Sequence, residues 1–168
     1  TRQPAGTVAA DGGCEFTETA DAIEVRVGDR TATIGKQSGM LETWQAGQGP
    51  IITGPFRFDF WRPMTNNDEG AGYQRSLRVW RDAGPAARAE SVTAAVVDGR
   101  VEVRSDLRIP AGQTTATVVW TFHPSGQITV SPAIRFRGNL PILPRIGMRC
   151  GIPEELAACR WFGKGPGE

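Results

Sequence analysis

Apolar and polar residues alternate along most of this chain, and the alternation predicts strands. Ile23, Val25 and Val27 are separated by Glu24 and Arg26, the pattern of a strand with one wet face. Thr31 to Ile34 and Met40 to Trp44 read as two short strands around Lys36-Gln37-Ser38-Gly39, a hairpin turn. Ile51 to Thr53 is a further short run with Gly-Pro on both sides. In the stretch that follows, Phe56, Phe58 and Phe60 alternate with Arg57, Asp59 and Trp61, so one face is aromatic and the other mixed. Pro63 removes a backbone donor and ends regular pairing. Thr65, Asn66, Asn67, Asp68 and Gly70 then favour a turn.

The period changes once. Tyr73, Leu77 and Trp80 stand at i, i+4 and i+7, with Arg75, Arg78 and Arg81 elsewhere on the wheel. Asp68 and Glu69 suit a helix N-terminus, and Gly84-Pro85 ends the run, which predicts one short amphipathic helix near residues 72–83. Strands return with Ser91 to Val97 and Arg100 to Ile109, joined by Asp98-Gly99, a strong two-residue hairpin signal. Val101, Val103, Leu107 and Ile109 face one way, and Glu102, Arg104, Asp106 and Arg108 the other. Thr115 to Phe122 places Ala116, Val118, Trp120 and Phe122 inward. Ile128, Val130, Ile134 and Phe136 mark the next strand, where Pro132 implies an edge or a bulge. Arg145 to Cys150 and Ala157 to Phe162 complete the set. Short strands joined by turn signals predict an all-β fold, an antiparallel β-sandwich.

Length and charge bound the function. The 168 residues suit one domain, with Thr1 to Gly13 as a Gly/Ala-rich linker. The net charge is +1, from 19 basic and 18 acidic residues, which points to neither nucleic acid nor a membrane surface as partner. No apolar run approaches the ~18 residues that a spanning helix needs. The chain begins Thr-Arg-Gln-Pro, without a signal peptide, and reads as a cut inside a longer protein. Cys14, Cys150 and Cys159 lack any metal-ligand spacing. Buried free thiols are the expectation, with a Cys150–Cys159 pair on neighbouring strands as the alternative.

Candidate catalysts are scarce. Hydrolysis by a pair of carboxyl groups needs the two roughly 5–9 Å apart across the scissile bond. Asp68 and Glu69 are sequence neighbours whose side chains diverge, and Glu102 and Asp106 share a solvated strand face. His123 sits at a strand end before Pro124 with no nucleophile motif around it. Gly163-Lys164-Gly165-Pro166-Gly167 lacks the spacing and following helix of a phosphate loop. No catalytic residue and no metal ligand is assigned.

Four motifs carry a resemblance. FWRPMTNNDEG (Phe60 to Gly70) resembles the Phe-x-Arg-Ala-Pro-(Thr/Leu)-Asp-Asn-Asp-x-Gly segment of the C-terminal small-chain domain of family 2 β-galactosidases. LPRIGMRC (Leu143 to Cys150) is similar to that domain's Pro-x-Arg-Ile/Val-Gly-Leu strand, and WFGKGPGE (Trp161 to Glu168) to its Trp-(Tyr/Leu/Phe)-Gly-x-Gly-Pro-x-Glu turn. ATIGKQSGMLETW (Ala32 to Trp44) resembles a hairpin near its start. The likeness spans about Cys14 to Glu168, in order. Three departures stand out: the family's Ala-Pro is Pro63-Met64 here, its first Asp is Asn66, and its pattern continues past the point where this chain stops at Glu168.

The resemblance implies a supersandwich of the galactose-mutarotase kind, present here as its N-terminal part, residues 14–168. It implies a non-catalytic role, because the family's catalytic glutamates lie on a separate (β/α)₈ barrel. The partners implied are that barrel with the rest of the parent chain, and a galactoside reached through the parent. Magnesium and sodium are expected only at sites of the parent outside these residues, with no cofactor in this chain. Trp61, Arg62, Asn66, Asn67, Asp68 and Gly70 match the loop beside the barrel's active-site mouth, where the family's glycine, here Gly70, begins a segment that opens and closes. A truncated sandwich leaves edges and apolar faces uncovered, so a symmetric homodimer is also expected. Two other readings stay open: a free carbohydrate-binding module stacking sugars on Trp44, Trp61 or Trp161, and a scaffold domain for assembly.

Overall fold

The computed structural model describes residues 7–10, 13–47, 49–156 and 158. Twelve strands run in order: β1 (Thr7–Ala10), β2 (Cys14–Glu18), β3 (Ala22–Val27), β4 (Arg30–Gly35), β5 (Leu41–Ala46), β6 (Gly49–Pro50), β7 (Gly54–Asp59), β8 (Arg88–Val97), β9 (Arg100–Ile109), β10 (Thr114–Phe122), β11 (Ile128–Arg135) and β12 (Gly147–Gly151). Between β7 and β8 lie three short helices, α1 (Asn66–Gly70), α2 (Tyr73–Ser76) and α3 (Arg78–Ala83). β1 to β6 form one sheet in sequence order, β11-β10-β9-β8 a second, and β12-β7 a two-stranded third. Every pairing is antiparallel. The fold is the all-β antiparallel sandwich that the alternation predicts.

Hydrophobic burial explains the layers. Cys14, Ile23, Val25, Ile34 and Leu41 from the first sheet meet Val101, Val103, Leu107, Ile109, Val118, Trp120 and Phe122 from the second in one continuous core. Each such apolar side chain taken from water contributes roughly 1.5–3 kcal/mol of transfer free energy. Polar bonds fix the relative position of the two layers. The Trp120 indole N–H donates to the Gly39 carbonyl at 3.3 Å, and the Ala89 amide donates to the Gln37 carbonyl at 2.9 Å. The predicted Asp98-Gly99 hairpin is present with φ of 48° and 74°, the pair of positive values that a type I′ turn requires.

Among the described residues β11 is an edge strand, as Pro132 implies; it pairs there with β10 alone, Pro132 standing opposite Val118. Its apolar side is incompletely covered, with Ile128 and Ile134 half-buried and Val130 37% exposed. Thr7–Ala10, inside the stretch expected to be linker, instead pairs with β2. Backbone pairing needs no apolar period, so that strand left no signal in the pattern. Apart from Ala158, the expected strand from Ala157 to Phe162 lies outside the described residues, as do the Gly163 to Gly167 segment, Trp161 and Cys159. Cys14 and Cys150 carry free thiols.

The single helix expected near residues 72–83 is a correction. The segment breaks at Leu77, whose φ of −101° and ψ of 6° leave the helical region, and α1 precedes it where only a turn was expected. Pieces of four and six residues are too short to be held by helix propensity. Tertiary burial sets the path instead. Leu77, Trp80 and Ala83 are buried, so the apolar stripe survives the break. Trp80, Phe60 and Phe136 form a triangle of edge-to-face rings with centroids 5.7–6.1 Å apart, and the Trp80 indole N–H donates to the Pro141 carbonyl at 3.3 Å. This cluster pins the helical segment and the end of β7 onto the sandwich.

Candidate functional site

The segment from Trp61 to Gly72 is set by what lies on either side of it. β7 and Phe60 deliver it, with Phe58 and Phe60 both 1% exposed and stacked at 5.6 Å. On the opposite face Asp59 turns the chain: its carboxylate accepts from the Trp61 amide at 3.3 Å and lies 3.5 Å from the Arg145 guanidinium.

Thr65 starts α1 through a capping box. Its hydroxyl accepts from the Asp68 amide at 3.3 Å, and the Asp68 carboxylate accepts from the Thr65 amide at 2.8 Å. The same carboxylate accepts from the Thr65 hydroxyl at 2.9 Å and from both terminal nitrogens of Arg62, at 2.7 and 3.0 Å. Such forked pairs are among the stronger side-chain hydrogen bonds. Asp68 is 7% exposed. The Arg62 guanidinium, then the Thr65 amide and hydroxyl, hold its carboxyl well below the usual carboxylate range, at about 2. An acid this strong is ionised at neutral pH and has no proton to give. Its oxygens are engaged in fixing the loop.

Of the remaining predicted residues the two asparagines point outward, and Trp61 packs against the core. Asn66 and Asn67 are exposed, and their side chains have no hydrogen-bond partner among the described residues. Trp61 is half-buried and lines a cleft of about 420 Å³ with Asp59, Arg81, Arg145 and Arg149. Glu69 accepts from the Gln74 amide at 3.1 Å and borders a second cleft of about 650 Å³ with Arg75, Arg78 and Arg81. Gly70 ends α1 without a positive φ and with open space where a Cβ would stand. The left-handed residue is Gly72, at φ 71°, which joins α1 to α2. Of Trp61, Arg62, Asn66, Asn67, Asp68 and Gly70, the structure joins only Arg62 and Asp68 directly; the others share the loop with them.

Residues missed from sequence complete it. Thr65 with Asp68 three positions later is a capping-box pattern, so its signal was present. Arg145 belongs to the LPRIGMRC motif, eighty-odd positions away, and nothing in that motif places it beside Asp59. Among the described residues no group of three or more His, Cys, Asp or Glu side chains could hold a metal ion. A separate cleft of about 260 Å³, between Ser38, Glu42, Phe56 and Arg88, includes no residue of the loop.

The family described as "Beta galactosidase small chain" matches residues 26–168. The chain belongs to that family. It is 33% identical over 112 residues to a β-galactosidase of Lactobacillus delbrueckii subsp. bulgaricus, covering 66% of this chain and 11% of that protein. The β-galactosidase BgaC of Bifidobacterium adolescentis is 28% identical over a 193-position alignment covering 98% of this chain and 18% of BgaC. A Vibrio cholerae β-galactosidase is 24% identical over 166 residues, covering 92% of this chain and 16% of that protein. The small-chain domain here thus spans less than a fifth of the length of these relatives.

Proposed function

We propose that this chain is a non-catalytic supporting domain of a β-galactosidase that hydrolyses terminal β-D-galactosides, and that its Trp61–Gly72 rim borders the active-site mouth. A (β/α)₈ barrel elsewhere in the parent supplies the catalytic carboxylates. The observation that carries this reading is the division of labour within the rim. Arg62, Thr65 and Asp68 saturate one another and hold the loop in shape, while Asn66 and Asn67 are left with free amide groups. Groups held outward on a fixed turn can orient a sugar hydroxyl without taking part in bond cleavage.

The test is made in the full-length parent enzyme. Asn66→Ala with Asn67→Ala is expected to raise KM for a nitrophenyl galactoside several-fold with kcat nearly unchanged, because uniform binding is lost. Asp68→Asn is expected to disturb both parameters, because it releases the loop. Wild-type kinetics in the double Asn variant would refute the placement of this rim at the substrate.

The supersandwich architecture and contact with a further layer belong to the same reading. Ile142, Ile146, Ile152 and Leu156 are 69%, 62%, 50% and 47% exposed along the segment flanking β12. Such a concentration of exposed branched side chains is the mark of a surface that another body covers. In the parent the remainder of the chain is that body, and for the chain by itself a second copy takes its place.

A further inference from the structure

A second feature lies on the outer face of the β11-β10-β9-β8 sheet, and the loop reading does not use it. Strand register sets Thr115 opposite Arg108 on one side and Arg135 on the other, so the three residues form a row across β9, β10 and β11. At sheet spacing the two arginine backbones stand roughly 10 Å apart. Arg137 follows β11, and its carbonyl accepts from the Gln113 amide at 3.0 Å, which ties it to the β9–β10 turn. Arg108, Gln113, Thr115, Arg135 and Arg137 together line a cleft of about 330 Å³, with no carboxylate among the described residues that line it.

The next row along the same face makes the contrast. Arg104 is forked onto Asp106 at 2.9 and 3.1 Å, and Asp106 also accepts from Thr117 at 2.6 Å and from Ser91 at 3.3 Å. There the positive charge is neutralised within the protein. Arg88, opposite Arg108, spends its guanidinium on the Pro85 and Ala87 carbonyls. Glu90 and Asp106 border the adjoining cleft with Arg104 and Arg135. Arg108, Arg135 and Arg137 make no ion pair or side-chain hydrogen bond among the described residues. Arg88 and Arg108 are direct cross-strand partners, and like charges so placed oppose folding unless something neutralises them. Three forked donors, with an amide and a hydroxyl between them, are a matched set for a compact oxyanion.

We propose that this cleft is an anion site that takes a small polyvalent oxyanion of the phosphate or polycarboxylate class, held by Arg108, Arg135 and Arg137 with Thr115 and Gln113. The chain is titrated with sodium phosphate, and separately with citrate, at constant ionic strength against chloride, while amide resonances are followed by NMR. The expected result is a saturable shift centred on Gln113, Thr115 and Arg137. The response to phosphate against citrate tells which anion class the site prefers. Arg108→Gln with Arg135→Gln should weaken the midpoint by roughly tenfold for each guanidinium lost. Arg100→Gln, at the far hairpin, should leave it unchanged. Arg108 and Arg135 are exposed, so their variants are expected to fold, and circular dichroism verifies this. Arg135→Glu, which reverses the charge in place, should abolish saturation. Shifts that never saturate, that spread evenly over surface arginines, or that persist in the double variant would overturn the proposal. So would a response only to an acidic peptide and to neither small anion, which would make the cleft a protein-docking surface.

Discussion

Replacing Gly84 with alanine should separate α3 from the strand that delivers the loop. Gly84 follows α3 at φ −65° and ψ −54°, a conformation that alanine adopts freely. Backbone preference alone would therefore stabilise the variant by roughly 0.4–1 kcal/mol. Space forbids it. A Cβ built there stands 2.1 Å from the Phe58 carbonyl oxygen and 2.8 Å from its carbon. Carbon does not approach backbone oxygen closer than about 3 Å, so helix and strand must part by close to 1 Å. Neither can yield cheaply, because Phe58, Trp80 and Ala83 are each 1% exposed in a packed core. Overpacking of this kind costs about 1–3 kcal/mol. We place Gly84→Ala at the upper end, about 2 kcal/mol net after the backbone gain. With a urea slope of roughly 2 kcal/mol/M, the midpoint should fall by about 1 M. Tryptophan fluorescence reads the transition. Gly70→Ala is the control, since nothing lies within 4 Å of the Cβ it would add. Equal midpoints for the two variants would show that the α3–β7 contact does not hold the segment in place.

Other perturbations separate the remaining contributions. The Ser105 hydroxyl is fully buried without a partner among the described residues, so Ser105→Ala should raise stability by about 1 kcal/mol in the same titration, and a loss would show a hidden bond. The Asp68 carboxyl, at about 2 in the folded chain, lies below its unfolded value near 3.9. The unfolded state then binds more protons in between, so this contribution is complete above about pH 5 and fades as pH falls toward 2. Asp68→Asn should flatten the acid limb of stability against pH, and an unchanged limb would remove Asp68 as its source. Light scattering on the eluting chain should report a dimer at high concentration, and a clean monomer would mean that the exposed surface around Ile142 and Ile146 needs no cover.

Most of the sandwich was legible because its strands are half-buried, and half-burial writes itself as alternation. Val101, Val103, Leu107 and Ile109 show it, and each is at most 1% exposed. The Asp98-Gly99 turn was legible for a different reason, since few residues tolerate two successive positive φ angles. What the pattern does not contain is partnership. Nothing in Gly147–Gly151 says that it pairs with Gly54–Asp59, and nothing in Arg145 says that it reaches Asp59. The break at Leu77 is equally silent, because the Tyr73, Leu77, Trp80 stripe is satisfied by one helix or by two. In the loop, Asn and Asp announced a turn, and the chain forms the short helix α1 there instead. Which of them is saturated and which is free depends on Arg62 folding back onto Asp68, a geometry that spacing alone does not encode.

The supporting role itself is tested by assaying the purified chain alone on nitrophenyl β-D-galactoside, beside Asp68→Asn and Glu69→Gln variants prepared identically. No turnover above the blank is expected for any of them, because the Asp68 carboxylate is spent on Arg62 and Thr65. Turnover by the wild-type chain that either substitution abolishes would place catalysis in this domain and contradict the account.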